Sequence, residues 1–197
     1  MEDSKFPAFP LNILLLPKEK MRLHLFEPRY KQLLKDINYL GGEFAIPVLK
    51  SNKINQLGSF VRVTEILETY PDGRVNLEIE CLKNFKISNY FESLEEDKYD
   101  TCKIEFIGFS SKTLKFDTVE IYWKYLQLIS NKVEELYKLK DISLNEIALN
   151  LTLSTIEKIK FLNLNFSSQV KFIENKILFL TLLYNQETKT ENNFYLN

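Results

Sequence analysis

The stretch Leu23-His24-Leu25-Phe26-Glu27-Pro28-Arg29-Tyr30, read with Phe9-Pro10-Leu11 upstream of it, decides the fold. Leu23 and Leu25 alternate with Arg22, His24 and Phe26, which is the period of a half-buried strand. Pro28 then stands where the first residue of a helix belongs, because its missing N–H would have no partner there anyway. Glu27 beside it favours the positive end of that helix. Phe26, Tyr30, Leu33, Leu34 and Ile37 follow helical spacing, with Lys31, Gln32 and Lys35 on the opposite side. Gly41-Gly42 supplies a stop. A strand running abruptly into a helix is the reading.

Working outward, Phe9 to Leu16 is an apolar run cut by prolines and predicts an edge strand. Phe44 to Leu49 predicts a buried strand. Gly58 to Tyr70 predicts a long one whose alternation slips: Val61 and Val63 share a face and Ile66 breaks phase, so a β-bulge is expected near Thr64-Glu65. Tyr70-Pro71-Asp72-Gly73 is a turn. On the return strand Val75, Leu77, Ile79 and Cys81 take one face and Arg74, Asn76, Glu78 and Glu80 the other, and Phe85 and Ile87 extend it. After an acidic loop from Glu92 to Asp100, Lys103 to Phe109 predicts a last strand with Ile104 and Phe106 inward.

Beyond Ser110-Ser111 the period changes to that of helices. Val119, Tyr122, Leu126, Ile129, Val133 and Leu136 recur at three and four residues. Ser143 with Glu146, and Ser154 with Glu157, form two capping boxes. Val170, Ile173, Ile177, Leu180 and Tyr184 mark a long final helix, and the polar tail from Thr188 is expected to be loose. Ile121, Tyr125 and Leu128, like Phe172, Phe179 and Leu183, give their helices a second apolar side. Such helices are buried against neighbours or meet a partner.

A chain of 197 residues can bury one substantial core or two small ones. Its formal charge of −1 weighs against nucleic acid as the main partner. Cys81 and Cys102 are too few for a disulfide framework. Met1-Glu2-Asp3-Ser4 opens no apolar signal segment, and Ile13-Leu14-Leu15-Leu16 ends at Pro17, well short of the ~20 apolar residues that span a bilayer. A soluble, reducing, cytoplasmic setting is expected, with no membrane contact.

Phe9-Pro10-Leu11 and Leu23 to Tyr30 together resemble the opening of the Lon protease N-terminal, substrate-binding domain. Gly58-Ser59-Phe60-Val61 with Pro71-Asp72-Gly73-Arg74 resembles its central hairpin. Glu80-Cys81-Leu82-Lys83-Asn84-Phe85-Lys86-Ile87 is similar to a family strand that commonly has Gly where Cys81 stands. Ile147-Ala148, Leu153-Ser154, Glu157-Lys158 and Phe161-Leu162 resemble its helical part. The resemblance runs from Phe6 to Asn185. It implies an α+β fold, a PUA-like β pseudobarrel over residues 1–110 followed by a helical bundle over 111–188, with 189–197 a flexible tail. It also implies contact with substrate proteins, in a stand-alone form without ATPase or peptidase domains. None of the glycines is followed by Lys, so no Walker A loop can form.

The residues themselves offer thin chemistry. His24, the single histidine, could be a base or ligand, but it has few partners for a metal site or a Cys–His dyad with Cys81 or Cys102. Cys81 lies in phase with Leu77 and Ile79 as a small buried hydrophobe. Glu78 and Glu80 share an outer, solvated face rather than forming a working carboxylate pair. Arg29 can fork onto a peptide carboxylate or carbonyl, or pair internally with Glu27. No catalytic residue, metal or cofactor is expected.

The expected function is therefore non-enzymatic recognition of unfolded or apolar protein segments, in a groove between barrel and helices. Arg29, Tyr30 and His24 are the candidate contacts. An adaptor or client-holding role alongside a protease or chaperone fits this reading, as does self-association through the helical part. An RNA-binding PUA-like protein and an unrecognised hydrolase are the alternatives.

Overall fold

The computed structural model describes residues 5–38, 41–108, 112–130 and 141–194, with side chains described as far as residue 187. The chain divides into two compact units, Met1–Gly108 and Phe109–Asn197.

The first unit is a mixed sheet of β1 (Phe6–Ala8), β2 (Lys20–Leu25), β3 (Glu43–Lys50), β4 (Lys53–Thr69), β5 (Val75–Phe91) and β6 (Asp100–Phe106), with α1 (Pro28–Ile37) between β2 and β3. Strand order is β2-β5-β4-β3-β1-β6, and β6 also pairs with the second half of β5, so the sheet closes on itself. All pairings are antiparallel except β1 with β3. Closure leaves one interior to fill. Leu23, Leu25, Phe44, Ile46, Val61, Val75, Leu77 and Ile79 fill much of it together with Tyr30, Leu33, Leu34 and Ile37 of α1. Pro28 is the first residue of α1, and the Gly42 N–H closes it by bonding Ile37 O at 2.8 Å.

Gly58 could be no other residue. A Cβ there would lie 2.2 Å from the Phe85 ring and 2.6 Å from Ile46 O, a contact no packed interior accommodates. The β4–β5 register shifts between Val63 and Glu65, where the phase slip predicts a bulge. Gly73, at φ 81°, closes the turn between these strands.

Several expectations need correction. Phe9 to Leu16 is not a strand. β1 lies earlier, at Phe6–Ala8, and beyond it backbone bonds to β3 continue only as far as Leu11: Phe9 N–H to Ala45 O at 2.9 Å, Leu11 N–H to Pro47 O at 3.1 Å and Leu49 N–H to Leu11 O at 2.8 Å. Leu14, Leu15 and Leu16 are nevertheless buried. Side chains supply what a ladder would: Leu15 N–H donates to Ser59 Oγ at 2.8 Å, and Leu15 O accepts from Ser59 Oγ at 2.9 Å and Asn84 Nδ2 at 2.7 Å. Phe26 follows the strand parity of Arg22 and His24, not the stripe of α1, and is 59% exposed. On β6 Ile104 packs inward with Cys102 as expected, and Phe106 shares that face, opposite the buried Phe85 and against the Phe60 ring, but at the end of the strand it is left 46% exposed.

The second unit holds α2 (Phe116–Ile129), α3 (Leu144–Asn150), α4 (Thr155–Leu162) and α5 (Phe166–Phe194). Both capping boxes form, each worth about 1 kcal/mol relative to Ala at the cap. Tyr122, Ile147, Phe161, Ile173 and Ile177 are buried. Val133 and Leu136, expected to extend the first helix, lie outside the described residues. The tail expected to be loose from Thr188 continues α5 as far as Phe194. Of the second apolar sets, Ile121, Tyr125, Leu128 and Phe172 are half-buried. Phe179 and Leu183 are exposed, together with Leu178 and Leu182.

Candidate functional site

Past the bulge in β4 the strand leaves its buried interior behind. Thr64 to Thr69 are all exposed, including Ile66 at 51% and Leu67 at 39%. This end of β4 pairs with the start of β5, and β5 pairs on its other side with β2. Asn76 is thereby the cross-strand partner of both Glu68 and His24. The three strands bring Arg22, Leu23, His24, Leu67, Glu68 and Asn76 around an open depression of about 560 Å³.

A polar network crosses this surface. Asn76 Nδ2 donates to Glu68 Oε2 and to Tyr70 Oη, each at 3.0 Å, and the Tyr70 hydroxyl donates to the same carboxylate. A carboxylate only accepts, so the amide of Asn76 is oriented with Oδ1 toward His24. His24 Nδ1 lies 2.6 Å from that oxygen and must carry the proton. Its Nε2 is then an acceptor in the neutral ring and a donor in the charged one. The bond to Glu68 pushes the Tyr70 phenol above its usual range. The His24 ring lies against Phe26, centroids 6.0 Å apart, and edge-on to Tyr70 at 6.1 Å. Polar groups thus hold His24 in place beside exposed apolar side chains.

The other candidates lie elsewhere. Arg29 pairs with Glu27, Nε to Oε2 at 2.9 Å and a terminal nitrogen to the same oxygen at 2.8 Å. Tyr30 is a core residue, 7% exposed, its ring 3.8 Å from that of Phe9. Burial pushes its phenol up to about 12, with the Arg29 charge pulling the other way. His24 and Arg29 therefore hold different partners. Glu78 bonds Lys20 Nζ at 3.0 Å and Thr64 Oγ1 at 3.2 Å. The Lys20 bond holds the Glu78 carboxyl below its ordinary range, as suits an ion pair and not a proton donor.

Cys81 is buried and donates to Leu15 O at 3.4 Å, away from the exposed His24. Burial lifts the Cys102 thiol to about 12, which leaves it without thiolate character at neutral pH. Among the described residues no group of three or more His, Cys, Asp or Glu could hold a metal ion. No described helix is long and apolar enough to cross a membrane.

Sequence reasoning missed the exposure of Ile66 and Leu67, the place of Phe26 against the His24 ring, and the polar partners of His24. The phase slip at Ile66 was the available signal, since a bulge that breaks alternation turns apolar residues outward. The network had no such signal, because it depends on strand register.

The chain matches the family model of the ATP-dependent protease La (LON) substrate-binding domain over residues 5–180. Among solved structures it is similar to a Lon N-terminal domain protein from Xanthomonas campestris. Identity is 19% and the TM-score 0.65, over 82% of this chain and 91% of that one. It is also similar to the N-terminal domain of the Mycobacterium avium complex Lon protease. There identity is 10% and the TM-score 0.66, over 88% of this chain and 98% of that one. At these identities the likeness speaks for the fold alone. No curated protein matches the chain.

Proposed function

The chain belongs to the ATP-dependent protease La (LON) substrate-binding domain family, and on that premise we propose that it is a non-catalytic module that holds exposed apolar segments of client proteins on the outer face of β2, β4 and β5. The observation that carries this reading is the exposed Leu67 in the wall of the depression beside the ordered network of His24, Asn76 and Glu68, with the exposed Phe26 against the His24 ring. Leu67 is 39% exposed, so a client side chain covering it would gain roughly 0.6–1.2 kcal/mol from the leucine alone, before ordering costs. His24 Nε2 and Arg22 offer hydrogen bonds to an extended backbone. Arg29, positioned by Glu27 and by the core anchor Tyr30, is a further polar contact.

Fluorescence anisotropy with labelled unfolded peptides tests this reading. Saturable binding is expected for apolar peptides and not for polar ones of equal charge. A flat response across a broad peptide set would overturn it.

In the cell the module would act in the cytoplasm as an adaptor or client holder for a separate protease or chaperone. The exposed α5 side chains Leu178, Phe179, Leu182 and Leu183 support self-association of the helical unit. A sedimentation series should show a concentration-dependent dimer that Leu182→Asp abolishes. A monomer at every concentration would remove that part of the proposal.

A further inference from the structure

A second concavity, of about 630 Å³, lies wholly within the helical unit. Lys112 and Lys115, from the segment leading into α2, face it together with Lys171 of α5, and Phe166 and Val170 give it an apolar wall. The Lys112 ammonium lies 5.6 Å from the centre of the Phe166 ring. Among the described residues Glu174 is the one carboxylate in the lining, and its Oε1 accepts from the buried Thr118 hydroxyl at 2.7 Å. Lys115 and Lys171 pair with no carboxylate among the described residues.

Lys115 and Lys171 bring two ammonium groups without a carboxylate partner among the described residues to one hollow, and the chain as a whole is slightly acidic, so this is a local concentration of positive charge. An anion held between them would be attracted by both, and lysine binds phosphate as a point charge. The hollow is far larger than an inorganic anion and falls within the ~300–1,000 Å³ of small-molecule sites. Its wall pairs cationic donors with an aromatic face. We propose that this hollow binds an organic phosphate, the phosphate among Lys112, Lys115 and Lys171 and the apolar body against Phe166 and Val170. The site is independent of the client surface on the barrel.

Calorimetric titration of the full chain with phenyl phosphate tests the proposal, with inorganic phosphate and phenol as the separate halves of the probe. Saturable binding is expected, weaker at ~0.15 M salt than at ~0.01 M, and tighter than either half alone. Lys115→Gln and Lys171→Gln should each weaken it by roughly tenfold, as the loss of a charged hydrogen bond does. Lys124→Gln, on α2 but paired with Glu120 at 2.8 Å and outside the hollow, should leave it unchanged. No saturable binding, or an equal effect of Lys124→Gln, would overturn the site. Phenyl phosphate binding no tighter than inorganic phosphate would overturn the organic-phosphate assignment.

Discussion

Removing one oxygen atom, in Ser59→Ala, should destabilise the barrel unit out of proportion to the size of the change. Ser59 is fully buried and carries two hydrogen bonds to the irregular segment that sequence reading takes for a strand. The two bonds are unequal in consequence. Leu15 O keeps Asn84 Nδ2 at 2.7 Å and the Cys81 thiol at 3.4 Å as donors when Ser59 is gone. Leu15 N–H, bonded to Ser59 Oγ at 2.8 Å, is left with no acceptor. A buried orphan of this kind costs about 1–3 kcal/mol. In a chain of this length that lowers Tm by roughly 2–12 °C.

Urea unfolding followed by far-UV circular dichroism at the β-sheet signal reads the loss. Trp123, the sole tryptophan, sits in α2 and reports the helical unit separately. Ser88→Ala, an exposed position on β5, is the control and should stay within about 0.5 kcal/mol of the parent. If Ser59→Ala matched that control, the buried side-chain bonds would not be what holds Leu14 to Leu16 in the core.

Two further outcomes follow from named groups. Neither Cys81 nor Cys102 should react with an aromatic disulfide reagent at pH 8 in the native protein, and both should react in urea; rapid native labelling would show that the barrel opens locally. Burial pulls the Glu157 carboxyl up, but bonds from Lys176 and from the Ser154 backbone and hydroxyl bring it below its ordinary value of 4.5. Its charge therefore contributes stability above that pH, and the contribution is lost as pH falls through the lowered value. Glu157→Gln keeps the capping geometry and removes the charge. It should be less stable than the parent at pH 7 by up to about 1 kcal/mol, and equal to it in acid. A gap independent of pH would contradict the ion pair with Lys176.

Local chemistry made much of the fold legible. Pro28 starts α1, the boxes at Ser143 and Ser154 start α3 and α4, and the alternation from Val75 to Cys81 places β5. These signals work because each element's ends or faces are decided by residues within one turn or one strand. The misreadings share the opposite cause. Leu15 is held by Ser59 and Asn84, which are 44 and 69 residues away in sequence, so its apolar run could not reveal that the pairing with β3 stops at Leu11. Phe106 alternates correctly but sits where β6 has passed the end of the interior.

The candidate site was legible only as single residues. His24 was visible as the lone histidine, but Asn76 and Glu68 become its network through the pairing of three strands. Tyr30 was rightly placed on the apolar stripe of α1, and that same placement puts it in the core and leaves Arg29 at the surface.

The most direct measurement compares the affinity of one apolar unfolded peptide for the parent, for Leu67→Ser on the barrel and for Leu178→Ser on α5. Both leucines are exposed, at 39% and 52%, so neither change should disturb folding. A client seated on the outer face of β2, β4 and β5 predicts a loss of about three- to eight-fold for Leu67→Ser and none for Leu178→Ser. The reverse pattern, or equal affinity in all three, would contradict it.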